Sequence, residues 1–305
     1  MNMNMYAFTM RFFRFIRKFV PDGVRKSDFI QKSWSLLLRK LSMPNKLKQT
    51  VLGSISVHIT EHCNLNCKAC AHFCTLADEQ FLDIETFRRD CIRLAELTNN
   101  DIGTFWLMGG EPLLHPQVTV FFDIVRTYFP NIRIAILSNG ILLPKQPDTF
   151  WQSCQKNRIE VHISNYPIKI DRETITQKAT TFGVVLAYLG DKNTEWGKMF
   201  VLDIHGQRNY KKSWNKCAHA NNCTLLREGK VYACFVVAYI DFFNKYFEQN
   251  LETTEQDYID IYKIKNQQEI FDFLYKPMPF CRYCNVENLE RFEWGVSKKE
   301  ISEWT

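Results

Sequence analysis

A chain of 305 residues with 46% hydrophobic and 14% aromatic residues can bury a large core, which excludes an intrinsically disordered protein. No run approaches the roughly 20 consecutive apolar residues of a membrane span, and Arg11, Arg14, Arg17 and Lys18 interrupt the N-terminal aromatics, so no secretory signal is read and a cytoplasmic protein is expected. The net charge of +6 is uneven: residues 1–50 carry +9 and the remainder −3, so the basic character belongs to an N-terminal extension and a nucleic-acid partner is not expected.

Within that extension, residues 6–42 read as two basic amphipathic helices, stopped by Pro21 with Gly23 and by Pro44. Two readings stay open for them: a peripheral contact with a membrane or acidic partner, or helices that pack on the main domain with their cations in water. From residue 54 the pattern changes to short β-branched runs alternating with helical stretches. Strands are expected at 54–60, 104–108, 132–137, 159–164 and 184–189, with 199–204 as a sixth candidate. Helices are expected between them at 84–97, 118–128, 149–156 and 174–182. Such alternation predicts a parallel sheet with right-handed crossovers. Beyond residue 210 the rhythm is lost, and a hairpin at 225–235 and a helix around 267–275 are expected there.

Eleven cysteines, an odd number with ligand-like spacings, argue against a disulfide scaffold and for thiolate ligation of an iron–sulfur cluster or zinc. The first group is His62-Cys63-Asn64-Leu65-Asn66-Cys67-Lys68-Ala69-Cys70, directly after the first strand. Three thiolates in one loop can wrap one corner of a cubane and leave the fourth iron open to a ligand. Gly109-Gly110-Glu111-Pro112 follows the second strand. Its glycines permit close backbone approach, and Glu111 can pair with an ammonium group. Ser138-Asn139-Gly140 ends the third strand and Ser164-Asn165 the fourth, so all four segments fall at the carboxyl ends of parallel strands, where α/β barrels assemble their sites.

On the Cys-x3-Cys-x2-Cys loop and the Gly-Gly-Glu-Pro segment, the chain resembles the radical S-adenosylmethionine superfamily over about residues 54–206. The resemblance implies an α/β fold: a partial (β/α)6, TIM-like barrel over residues 51–210. An N-terminal helical extension at 1–50 and a small C-terminal cysteine-rich α+β domain at 211–305 complete the implied organisation. It also implies a [4Fe–4S] cluster on Cys63, Cys67 and Cys70, with S-adenosylmethionine on its open iron. Gly109, Gly110, Glu111 and Pro112 would then meet the cofactor's methionine amino group, and Ser138, Asn139, Ser164 and Asn165 its ribose and carboxylate. Where the family places an aromatic before the third cysteine this chain has Ala69, with His72 and Phe73 as replacements. Cys74 reads as a spare thiol, and Cys91 and Cys154 as buried small hydrophobes.

The second group is Cys217 and Cys234, flanking Gly229, with the pair Cys281 and Cys284 far downstream. This pattern resembles the family's shortened twitch form of the SPASM domain, which implies one auxiliary [4Fe–4S] cluster; Cys223 competes with Cys217 for the first position. Structural zinc is the alternative. The implied reaction begins with a 5′-deoxyadenosyl radical and ends in oxidation or rearrangement of a small molecule, a sugar or nucleotide-linked sugar. A reductase, flavodoxin or ferredoxin would donate electrons. The alternatives are a peptide or protein side-chain maturase, against which no leader-binding module is read before residue 50, and a non-enzymatic zinc adaptor. No catalytic acid or base is assigned.

Overall fold

The computed structural model describes residues 52–190, 195–198, 200–220, 223–287 and 289–305, and the helices expected over residues 6–42 lie outside them. The fold starts with the β-branched run Ile55–Thr60 (β1), which buries five of its six residues. Helix α1 (Ile84–Thr98) follows; the Asp83 carboxylate caps it by accepting from the Thr86 amide at 2.8 Å, and Asn99 ends it in the left-handed conformation. The unit then repeats as β2 (Thr104–Gly109), α2 (Val118–Tyr128), β3 (Arg133–Ser138), α3 (Asp148–Asn157), β4 (Ile159–Ser164), α4 (Arg172–Thr181) and β5 (Leu186–Leu189). Strands β1 to β5 pair in chain order, and every pair is parallel. Phe121, Phe122 and Val125 on α2, with Ile134, Ile136, Val161 and Ile163 on the strands, have no exposed surface and belong to the core. Cys91 and Cys154 are sealed in the same core.

Residues 199–204 do not extend this sheet as a sixth strand. Here β6 (Glu195–Gly197) and β7 (Val201–Leu202) are short, and they pair antiparallel with β12 (Arg291–Glu293) and β11 (Cys284–Asn285) respectively. The free edge of β1 is covered instead by β8 (Leu225–Arg227), parallel to it at Ser56 and Leu225, with Ser56 N–H donating to the Thr224 carbonyl at 2.9 Å. The hairpin partner β9 (Lys230–Tyr232) and then β10 (Ile259–Asp260) continue antiparallel. The result is an α/β fold on a mostly parallel eight-stranded sheet in the order β10-β9-β8-β1-β2-β3-β4-β5.

Three further helices complete the fold: α5 (Tyr210–Lys216), α6 (Phe235–Phe247) and α7 (Gln267–Leu274). The sequence reading has no counterpart of α6, because its first residues, Phe-Val-Val, continue the apolar run of the expected hairpin. Eight of its thirteen residues are buried. Tyr239 stacks on His58 of β1 with ring centroids 4.0 Å apart, and Phe235 stacks on His72 at 4.9 Å, so α6 covers the sheet face that bears the site.

Candidate functional site

The cysteine loop leaves the carboxyl end of β1 and turns sharply. Ala69 sits at φ +52° and Phe73 at φ +56°, the left-handed region that costs a residue with a Cβ about 1–2 kcal/mol. A small side chain suits position 69 for that reason, and the Glu303 carboxylate holds the turn by accepting from the Ala69 amide at 3.1 Å. Cys63, Cys67 and Cys70 all face one cleft, together with Gly109, Gly110, Ser138, Asn139 and Ser164 from the ends of β2, β3 and β4. Its empty volume is about 1010 Å³ including the open mouth. Three thiols on one wall and polar strand ends on the others fit a cubane with a small polar ligand on its open iron.

Burial dominates the thiols. It pushes Cys63 and Cys67 up to about 12, so each stays protonated until a cation replaces its proton. Cys70 differs: the neighbouring Cys74 thiol pulls it down to about 7, against the cost of its own burial, while the Cys74 S–H itself donates to the His72 carbonyl at 3.6 Å. Asn139 joins the loop to β3, its side-chain amide donating to Asn64 Oδ1 at 2.7 Å. The Leu65 amide also points at Cys63 Sγ, 3.3 Å away.

The motif glycines are required by contact distance. A Cβ on Gly110 would stand 2.1 Å from the His62 carbonyl oxygen, and one on Gly109 would stand 2.1 Å from that of Thr60. Behind them Glu111 has no exposed surface. Its carboxylate accepts from Ser138 Oγ at 2.8 Å, from the Asn139 amide at 2.8 Å and from the Leu113 amide at 3.1 Å. Those bonds tie the end of β2 to the end of β3, while burial lifts the carboxyl to about 7. Pro112 and Asn165 are likewise buried, and neither lines the cleft; Asn165 accepts from Arg172 at 2.5 Å and donates to the Gly190 carbonyl at 3.3 Å.

His72 lines the cleft, whereas Phe73 does not. Phe73 is fully buried against Phe200, Phe243 and Trp304, so of the two replacements read from the sequence only His72 reaches this space. His72 accepts or donates at Nδ1 to His58 Nε2 at 2.8 Å, and His58 pairs with Glu61 at 2.9 Å. The cleft also has walls that sequence reasoning missed: Tyr166 after β4, and Phe292 and Trp294 from the chain's last segment. Lys68 lies over the Phe292 ring at 5.4 Å, and Tyr166 faces Trp294 at 6.1 Å. Phe292 and Trp294 carry no local signal, because the other walls of the cleft are more than a hundred positions away, whereas Tyr166 directly follows Ser164 and Asn165.

The second cysteine group also converges. Cys217 ends α5, Cys234 precedes α6, and Cys281 and Cys284 belong to a 3-10 turn at Pro279–Tyr283 and its cap. After burial, the charges of Cys281, Cys234 and Cys217 are what raise the Cys284 thiol, so the four share one neighbourhood. Cys223 lies near Cys217 and Cys234. Ser213 fastens α5 to the turn by donating to the Cys284 carbonyl at 2.8 Å. Among the described residues no three His, Cys, Asp or Glu side chains are close enough to hold one metal ion. Thiolates on a single tetrahedral zinc, with bonds of about 2.3 Å, stand closer together than those on the corners of a four-iron cubane.

Residues 57–182 match the model of the family described as Radical SAM superfamily. Over those residues the match supports that superfamily, with a [4Fe–4S] cluster and S-adenosylmethionine as its cofactors. Similar curated proteins are GTP 3′,8-cyclases. That of Sulfurovum sp. (strain NBC37-1) is 28% identical over 94 residues, 30% of this chain and 28% of the relative. That of Chlorobaculum tepidum is 29% identical over 116 residues, 38% of this chain and 34% of the relative. The chain therefore spans about a third or less of the length of these relatives. Similar solved structures include BtrN in complex with AdoMet and 2-DOIA, with TM-score 0.49 and 18% identity over 77% of this chain and 93% of that one. Native anSMEcpe with bound AdoMet has TM-score 0.37 and 16% identity over 44% of this chain and 43% of that one. Among the described residues no helix is long and apolar enough to cross a membrane.

Proposed function

We propose that this chain is a radical S-adenosylmethionine enzyme that oxidises a small molecule, a sugar or nucleotide-linked sugar, at an unactivated C–H bond. One observation carries the reading: Cys63, Cys67 and Cys70 share a cleft with the polar strand ends Gly109–Gly110, Ser138–Asn139 and Ser164. When bound and reduced by an external electron donor, the cluster and cofactor would supply a 5′-deoxyadenosyl radical able to take a hydrogen atom from the substrate, and a second cluster would supply an acceptor for the substrate's remaining electron.

In this reading Cys63, Cys67 and Cys70 hold three irons. The Gly109 and Gly110 backbone meets the cofactor's amino group, while the Glu111 carboxylate, which accepts three bonds from the chain, positions those strand ends. Ser138, Asn139 and Ser164 face the cofactor's remaining polar groups. Tyr166, Phe292 and Trp294 wall the substrate space and keep water out. Cys217, Cys234, Cys281 and Cys284 hold the second cluster, and the convergence of their thiols supports that assignment. The curated relatives act, by name, on a nucleotide, which favours a sugar-containing substrate over a peptide.

The test is anaerobic reconstitution with iron and sulfide, followed by metal counting and addition of dithionite and S-adenosylmethionine. Two clusters with 5′-deoxyadenosine formation support the proposal. Sugars and nucleotide-linked sugars deuterated at the reacting carbon should then pass their label into 5′-deoxyadenosine. Zinc without iron, and no cofactor cleavage, would overturn the proposal.

A further inference from the structure

The last segment of the chain forms a strap across the cysteine loop. Cys67 and Val296 face each other as an antiparallel bridge, with the Lys68 amide donating to the Gly295 carbonyl at 2.9 Å and the Ser297 amide donating to the Asn66 carbonyl at 2.7 Å. The Glu303 carboxylate accepts from the Ala69 amide, from Ser297 Oγ at 2.7 Å and from the Lys298 amide at 2.6 Å. Trp304 Nε1 donates to the Cys70 carbonyl at 2.9 Å. Cys67 therefore lies in a short ladder whose register is held on both sides.

That register brings Trp294 to the cleft wall shared with Cys63, Cys67 and Cys70. Its indole N–H is buried without a hydrogen-bond partner, one of the few side-chain polar atoms so left among the described residues. A buried donor of this kind is anomalous unless an acceptor completes it. Cys67 is the acceptor at hand. Trp294 lies two residues from Val296, the bridge partner of Cys67, and both Trp294 and Cys67 line the same cleft.

Building on the proposed cluster at Cys63, Cys67 and Cys70, we infer that Trp294 is a positioning residue for it: the indole N–H donates to the Cys67 thiolate and raises the cluster's reduction potential. A donor aimed at a ligand sulfur stabilises the more negative, reduced cluster more than the oxidised one. The strap makes that donor a fixed part of the site.

Trp294→Phe keeps an aromatic wall and removes the donor, and Trp294→His restores a donor. Each reconstituted protein would be titrated anaerobically without S-adenosylmethionine, with the reduced cluster read by electron paramagnetic resonance and iron counted in parallel. The Phe variant should hold as much iron as the wild type, yet show a roughly tenfold lower ratio of reduced to oxidised cluster at a fixed ambient potential. The His variant should recover most of that ratio. An unchanged ratio in Trp294→Phe would overturn the inference, as would an equal fall in both variants, which would mean packing and not donation. A wild type that takes up no iron would instead fail the functional reading on which the inference stands.

Discussion

The two cysteine groups solve the same problem of gathering thiolates in opposite ways. The first places Cys63, Cys67 and Cys70 on one loop, so its thiols are neighbours before the chain folds. The second draws Cys217, Cys234 and the Cys281–Cys284 pair from a helix end, a helix start and a distant turn. A metal group on the first adds little cross-linking of the chain. On the second it would join segments far apart in sequence, where binding free energy becomes folding free energy. The first loop takes its rigidity from outside, through the Glu303 and Trp304 strap.

The largest expected effects separate the two groups. Replacing Cys63, Cys67 and Cys70 together by Ala should abolish 5′-deoxyadenosine formation while leaving about half the iron and nearly unchanged thermal stability. Replacing Cys281 and Cys284 by Ala should do the reverse. Cofactor cleavage persists without product, half the iron is lost, and the melting temperature falls because α5, α6 and the turn are no longer cross-linked. Iron analysis, chromatography and calorimetry on the two variants check this. If the second pair abolished cleavage and spared stability, the division of labour would be wrong.

Glu111 sharpens the comparison within the first site, because it acts on strand ends and not on the loop. Glu111→Ala strands the Ser138 hydroxyl and the Asn139 and Leu113 amides, at a cost of about 3 kcal/mol in unfolding free energy. Its carboxyl titrates near 7 when folded, above its ordinary 4.5, mainly through burial. The folded state therefore holds the proton over that window while the unfolded state releases it. The stabilisation is fully present below pH 4.5 and lost as pH rises through about 7. Glu111→Gln should flatten this part of the stability–pH curve, as denaturant titration across the window would read. A wild-type curve already flat there would show that Glu111 stays ionised.

Much of the parallel sheet was legible because each strand and helix announces itself locally. The expected helix at 118–128 coincides with α2, and the expected strand at 159–164 coincides with β4. The loop thiols and strand-end residues were legible for the same reason, since motif and position lie together in the chain. What was not legible is long-range. The partner that covers the free edge of β1 is chosen by geometry, so β8 could not be told from a detached hairpin. The α6 residues Phe235 to Tyr239 carry no period that distinguishes a buried helix from a buried strand. Tyr166, Phe292 and Trp294 are ordinary aromatics until the strap brings the last two to the cleft. Glu111, read as a cofactor contact, is found bonded to Ser138, Asn139 and Leu113, partners that no spacing rule names.

The smallest expected effect tests whether the strap serves the first group alone. Trp304 is almost fully buried, packs against Phe73 and Phe247, and donates to the Cys70 carbonyl. Trp304→Phe keeps most of that packing and deletes one buried hydrogen bond, a loss of about 1 kcal/mol, or a fall of about 2–4 °C in melting temperature. The bond fixes the backbone at Cys70, so its loss should loosen the loop more than the fold. Iron should leave the first site faster under a chelator or air, while iron in the second site keeps its wild-type rate. Equal acceleration at both sites would mean that Trp304 braces the whole domain. Acceleration at the first site alone would show that the loop, whose thiols need no folding to be neighbours, still depends on the strap to stay closed around its cluster.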